Sequence, residues 1–280
     1  MKFHDLLGNS KNKDTLAGQI KDDGFAHLEE ALSLEEAEHF LSFSKALHQS
    51  ELEKVAAGIR SNDADFQTYH FKGAHLYNSP RQTRVFDPLL GHPILLSFLD
   101  HFFETKSILN QTELRNPVKN GKDNYAYEWH RDGRVLAKDT FWLVVFWLFN
   151  DVDDTNGPCE IKKGTHLTDE YDQEAETIKL TGKAGDIMIM SNNILHRATV
   201  SYSNKDRWIF IPTYNPWFIK PSMDYTKVFS QKTFNQFTEE QKQIFGYTSI
   251  VPSDERKRLY TLNPWNEIID EIPFPEYEEE

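Results

Sequence analysis

Cysteine is almost missing from this chain: Cys159 stands alone among 280 residues. No intrachain disulfide can form, and metal sites built from paired cysteines are excluded. A reducing cytoplasm is the expected compartment. Long apolar runs are missing too. The longest, Phe141 to Phe149, has nine residues, well short of the ~20 a membrane helix needs. Met1 to Ser10 lacks the apolar stretch of a signal peptide. Basic residues are outnumbered, 31 Lys plus Arg against 44 Asp plus Glu, for a net charge of −13. Nucleic acid and anionic membranes are therefore not expected partners. Internal repeats and low-complexity linkers are absent.

Aromatic residues, in contrast, are abundant at 13%, with hydrophobic residues at 39%. That is enough for a large buried core and excludes disorder over most of the chain. A single domain over 1–280 is expected, in three parts. Residues 1–106 read as mainly helical. Gly24–Leu28 resembles a short strand, Ser33 with Glu36 forms a capping-box pattern at a helix start, and Pro93 opens a helix to about Phe103. From Ser107 to 216, short apolar stretches alternate with turn signals. The stretches are Ile108–Arg115, Ala126–His130, Thr140–Phe149, Glu176–Leu180, Asp186–Met190, Leu195–Val200 and Arg207–Tyr214. This texture predicts a mainly β fold with flanking helices, a sandwich or barrel. The Phe141–Phe149 run predicts a strand buried on both faces. Pro212 predicts that the last strand lies at an edge or ends there. Residues 217–280 read as an aromatic extension with a helix near Thr238–Ile244. Its aromatic residues are expected to pack on the barrel or to form a homodimer contact.

Histidine followed two residues later by a carboxylate puts both side chains on one face of an extended segment. This occurs at His27–Glu29 and His130–Asp132. The first reads as a solvated strand end. The second closes a segment rich in aromatics (Tyr125, Tyr127, Trp129) and precedes the most apolar stretch of the chain. His196, in a later short strand, is the best candidate for a third ligand. Two histidines and one carboxylate leave adjacent coordination positions open, which suits non-haem Fe(II) rather than structural zinc. Arg207 follows His196 by 11 residues, and its planar fork suits a carboxylate. The chain has 10 arginines, so finding one at a set offset is roughly a 4% coincidence.

In this context the sequence resembles the phytanoyl-CoA dioxygenase-like family of Fe(II)/2-oxoglutarate-dependent oxygenases, from Asp22-Asp23-Gly24-Phe25 to about Tyr214. The resemblance is carried by Trp129-His130-Arg131-Asp132, by the stretch Trp147 to Pro158 with its Asn156-Gly157-Pro158 turn, and by Ala184-Gly185-Asp186-Ile187, His196-Arg197-Ala198 and Arg207. Lys163-Gly164-Thr165-His166 is similar to the family's Pro-Gly-Ser-His loop, with Lys for Pro and Thr for Ser. The resemblance implies a double-stranded β-helix of jelly-roll or cupin type. It implies Fe(II) on His130, Asp132 and His196, with 2-oxoglutarate as co-substrate, its distal carboxylate on Arg207, and O2 as oxidant. The co-substrate leaves as succinate and CO2 while an unactivated C–H is hydroxylated; desaturation and ring closure are alternative outcomes. Retention of Asp132 argues against the halogenating branch. No catalytic residue beyond the metal ligands is expected.

Gln111, Tyr127, Thr140 and Trp142 are further candidates for contacts to the co-substrate, with core packing as the competing role of the two aromatics. Phe66 to Phe86 contains no Asp or Glu. This basic island suggests that Arg81, Arg84 or Arg134 binds an anionic substrate, such as a specialised metabolite or amino-acid derivative; a solvated loop is the competing reading. His166 is read as a hydrogen-bonded loop residue, Asp186 as a turn residue, and His92 and His101 as ordinary surface or core histidines. A non-catalytic binding or regulatory protein is the alternative from another class, and a zinc hydrolase would leave Arg207 without a task.

Overall fold

Helix caps dictate much of the N-terminal architecture. A computed structural model describes residues 1–59, 68–70, 73–77, 83–117, 119, 127–133, 140–168, 174–251, 272, 274 and 275. Helix α1 (Ser10–Asp23) starts at Asn9, whose side chain accepts from the Asn12 N–H. It ends at Gly24 in the left-handed region (φ 88°). A Cβ on Gly24 would lie 2.6 Å from Ile194 Cδ1 and 2.7 Å from His166 Nδ1. Only glycine satisfies both the turn and the close approach. The chain passes straight into β1 (Phe25–Leu28). Helix α2 (Leu34–Ala56) carries the expected capping box, Ser33 and Glu36 each bonding the other's backbone N–H.

Among the described residues, the remaining strands are β2 (Thr68–His70), β3 (Gly73–Tyr77), β4 (Ser107–Asn116), β5 (Leu143–Leu148), β6 (Cys159–Lys162), β7 (Thr177–Leu180), β8 (Ile187–Ser191), β9 (His196–Ala198) and β10 (Ile209–Pro216). They form a seven-stranded sheet in the order β1-β8-β5-β10-β4-β3-β2 and a three-stranded sheet β7-β6-β9. The pairings of β1 and β5 with β8, of β2 and β4 with β3, and of β7 and β9 with β6 are antiparallel. The fold is thus mainly antiparallel sheet with flanking helices. No described helix is long and apolar enough to cross a membrane.

The chain divides into two compact units, one of Met1–Ser79 with Thr112–Pro212, the other of Pro80–Gln111 with Thr213–Glu280. In the first, β5 is buried at all six positions, as the apolar run predicts. Val144, Phe146 and Leu148 pack with Ile161, Met188, Met190, Ile194, Ile209 and Ile211 into one core. The second holds α3 (Asp87–Leu90), α4 (Pro93–Phe103), α5 (Gln231–Phe234) and α6 (Glu239–Ile244). Its C-terminal aromatics pack on one another: Phe229 lies 4.7 Å from Phe245 and 5.1 Å from Phe237 between ring centroids.

Three expectations are corrected. Residues 127–130 form no strand; His130 makes only an isolated bridge. Strand β6 is missing from the predicted stretches, because Cys159-Glu160-Ile161-Lys162 alternates apolar and charged residues over only four positions. Strand β10 lies between β5 and β4 rather than at an edge, and runs through Pro212. Proline removes one ladder donor, and the division between the two units falls at this residue.

Candidate metal centre

The sequence brings His130, Asp132 and His196 together through backbone pairing. His130 and His196 exchange both N–H···O=C bonds, each 3.0 Å. In such an antiparallel bridge the two side chains share a face, and the imidazole centroids lie 4.3 Å apart. Asp132 returns to that face two residues on, its N–H and that of Gly133 donating to Asn192 O at 3.1 and 3.2 Å. Gly133 leaves room there for the bonded Asn192–Asn193 side chains, since a Cβ would sit 2.3 Å from Asn193 Oδ1. The donor atoms of the three residues all lie within 4.8 Å of one another. Asp132 Oδ1 is 3.6 Å from His196 Nε2 and 3.9 Å from His130 Nε2.

Both rings are oriented by their other nitrogen. His130 Nδ1 lies 2.7 Å from Glu128 O, and His196 Nδ1 lies 3.0 Å from Ile194 O. A carbonyl only accepts, so each Nδ1 carries the proton and each Nε2 turns a lone pair to the shared face. That is how metal-binding histidines are held. Burial, then the neighbouring His196, lowers the His130 pKa, which keeps it neutral. His196 is buried, while Asp132 is 37% exposed in its side chain, so the face is open on the carboxylate side. Two imidazoles and one carboxylate, with no thiolate, form a donor set that fits Fe(II) with open positions.

Arg207 is buried, and its N–H is anchored on Asn116 Oδ1 at 3.0 Å. Burial pushes the Cys159 thiol up to about 12, while Arg207 opposes this and Asp132 adds to it. Thr140 Oγ1 bonds Ser191 Oγ at 2.9 Å, and Trp142 packs on the core with its N–H on Asn192 Oδ1. Tyr127 is buried and lines a cavity of about 280 Å³ with Glu160, Lys179 and Arg197, none of them a ligand of the triad. Gln111 belongs to the second unit. Arg81 and Arg134 lie outside the described residues. Arg84 is paired with buried Asp87 and stands over Phe229 and Phe237, 4.9 and 4.7 Å from the ring centroids. Its charge is thus engaged within its own unit.

Arg115 escaped the sequence reading. It alternates with Gln111 and Glu113 along β4, pairs with Glu113 at 2.9 Å, and acts electrostatically on His130. The period-2 pattern of Ile108–Arg115 contained this signal. Asp186 bonds the N–H groups of Lys183 and Glu30 and also His27, the turn role expected of it. His166 donates from Nε2 to Lys21 O at 2.9 Å and is no ligand of the triad. Burial lowers its pKa from 6.5. The unfolded chain therefore binds the proton more readily, so this contribution is complete above pH ~6.5 and is lost as pH falls below it. His166→Gln keeps the donor and cannot titrate. Its melting temperature should fall less than that of the wild type between pH ~7.5 and pH ~5; equal falls would refute this.

Comparison with solved structures shows the same fold. The non-haem α-ketoglutarate-dependent epimerase SnoN from nogalamycin biosynthesis superposes with a TM-score of 0.57 at 15% identity, covering 74% of this chain and 84% of its own. The nickel complex of the non-haem monooxygenase ThoJ gives 0.56 at 20%, covering 75% and 80%. AviO1 from Streptomyces viridochromogenes Tue57 gives 0.58 at 15%, covering 75% and 98%. No curated protein matches the chain. Fold, donor set and family pattern define a non-haem iron dioxygenase that uses 2-oxoglutarate and O2. More specifically, the chain belongs to the phytanoyl-CoA dioxygenase (PhyH) family, whose model matches residues 20–209.

Proposed function

We propose that this dioxygenase hydroxylates an unactivated C–H of a small anionic molecule, a specialised metabolite or amino-acid derivative. The observation that carries the reading is the His130/Asp132/His196 face, with both Nδ1 protons tied to backbone carbonyls. The two sheets are read as the halves of a double-stranded β-helix that brings these residues to one end. His130, Asp132 and His196 hold the iron, and Arg207 holds the distal carboxylate of 2-oxoglutarate by its planar fork. Iron with 2-oxoglutarate and O2 supplies the oxidation, and the co-substrate leaves as succinate and CO2. The chain's own part is to orient the target C–H and to keep bulk water from the oxidant. The anionic-substrate reading is supported by Arg115, whose charge contributes to lowering the His130 pKa while it is itself paired with Glu113.

A second reading keeps the oxygenase chemistry but ends in desaturation or ring closure. Proteins of this fold include an epimerase and a carbocyclase, SnoN and SnoK, both from nogalamycin biosynthesis. The test is incubation of the purified chain with Fe(II), 2-oxoglutarate and a panel of carboxylated small molecules. Succinate formed together with a product one oxygen heavier supports hydroxylation. A product two hydrogens lighter supports the second reading. Absence of succinate across the panel, with substrate or without, overturns both.

A further inference from the structure

Opposite the metal face, on the outer side of the β6–β9 pair, lies a cluster that the reaction itself does not use. The bridge between His130 and His196 makes Trp129 and Arg197 cross-strand partners on the reverse face. The Arg197 guanidinium stands 4.6 Å from the centroid of the Trp129 indole. Arg197 is itself held from β6, where its register partner is Glu160. Its Nε and Nη2 both donate to Glu160 Oε2 at 2.8 Å. Lys162, two residues along β6, places Nζ 5.3 Å from the centroid of the same indole and donates to Ala175 O at 3.0 Å. Glu160 and Lys162 are each only 9% exposed. The indole preceding one ligand histidine is thus gripped by two cations, one of which follows the other ligand histidine.

We propose that Trp129, Arg197 and Glu160 form a clasp that sets the angle between the two ligand imidazoles, and through it the metal affinity. Among the described residues, the 127–132 segment belongs to no strand and touches the β9 strand through one bridge. One bridge fixes the height of His130 but does not by itself resist a roll of the segment about its own axis. Rolling turns Nε2 of His130 away from Nε2 of His196, and it also lifts Trp129 off Arg197. The clasp opposes that roll from behind. Arg131 and the bonds to Asn192 O secure the segment further on, at Asp132, with Arg131 Nε donating to Asn193 O at 2.8 Å. A planar guanidinium can both stack on the indole and bond a carboxylate edge-on, which an ammonium cannot. These are positioning residues: they touch no substrate or metal.

The proposal rests on the metal reading of the triad, and its test separates the two. Co(II) is titrated into the apo-protein without 2-oxoglutarate, and its dissociation constant and d–d spectrum are read. Loss of groups that orient metal ligands typically weakens binding roughly tenfold to a hundredfold. Trp129→Leu and Arg197→Lys should fall in that range with an altered d–d band, with far-UV circular dichroism unchanged. Trp129→Phe, which restores a ring under Arg197, should recover most of the affinity. Lys183→Gln, an exposed cation paired with Asp151 outside the clasp, should bind as wild type. A merely structural role would lower the melting temperature and leave Co(II) affinity and spectrum in place, and that result overturns the clasp. Should Trp129→Leu fail to fold, Arg197→Lys decides alone. If wild-type protein and His130→Ala bind Co(II) alike, the metal reading itself fails.

Discussion

His130→Ala, Asp132→Ala and His196→Ala should each abolish succinate formation and the binding of Co(II) to the apo-protein. Each variant removes one of the three protein donors found among the described residues. The loss should therefore exceed the roughly tenfold to hundredfold cost of removing an outer partner. Stability should move little, with His196→Ala the more costly. His196 is buried, so its truncation leaves a void of modest cost. Asp132 is partly exposed and faces two imidazoles rather than an arginine, so its truncation removes no strong pairing. The decisive comparison is isothermal titration with Co(II) beside a thermal melt of the metal-free protein. Loss of turnover with intact Co(II) binding in any of the three would remove that residue from the ligand set. A collapsed melt would recast it as a structural residue.

The triad was legible because its signal is local and chemical. His-Arg-Asp places two donors on one face whether or not the segment is a regular strand, and residues 127–132 show that it is not. The expected strand at Ala126–His130 failed for the same reason that the site works: the segment bends through Tyr127 and Glu128 so that Glu128 O can meet His130 Nδ1. Capping signals were equally readable, since Ser33/Glu36 and Pro93 act within one helical turn. What stayed hidden is non-local. Nothing near Pro212 in the chain says that β5 and β4 will flank its strand. Nothing near Arg84 says that two phenylalanines from beyond residue 228 will stand against it, although its partner Asp87 lies only three residues on. Arg115 was visible as a strand residue but not as a neighbour of His130, because that proximity exists only after the sheet has formed.

Arg207 carries the other large expected effect. Arg207→Met should raise the KM for 2-oxoglutarate while leaving Co(II) affinity unchanged. Removing one partner of a buried, hydrogen-bonded charge pair costs about 2–5 kcal/mol. At about 1.4 kcal/mol per decade, this is roughly thirtyfold to several-thousandfold in KM. Arg207→Lys should fall between, since it keeps the charge but loses the fork. The Arg207 backbone N–H, two residues ahead of β10, donates to Asn116 Oδ1, so either substitution keeps this anchor and the effect reads on the guanidinium. A spectroscopic arm separates binding from chemistry. Under anaerobic conditions, Fe(II) with 2-oxoglutarate should give a weak visible charge-transfer band. In Arg207→Met the band should return only at higher 2-oxoglutarate, in step with the raised KM. If the band and KM stay at wild-type values, the buried arginine serves the fold, and the distal carboxylate must find its partner elsewhere, with Arg115 the next residue to substitute.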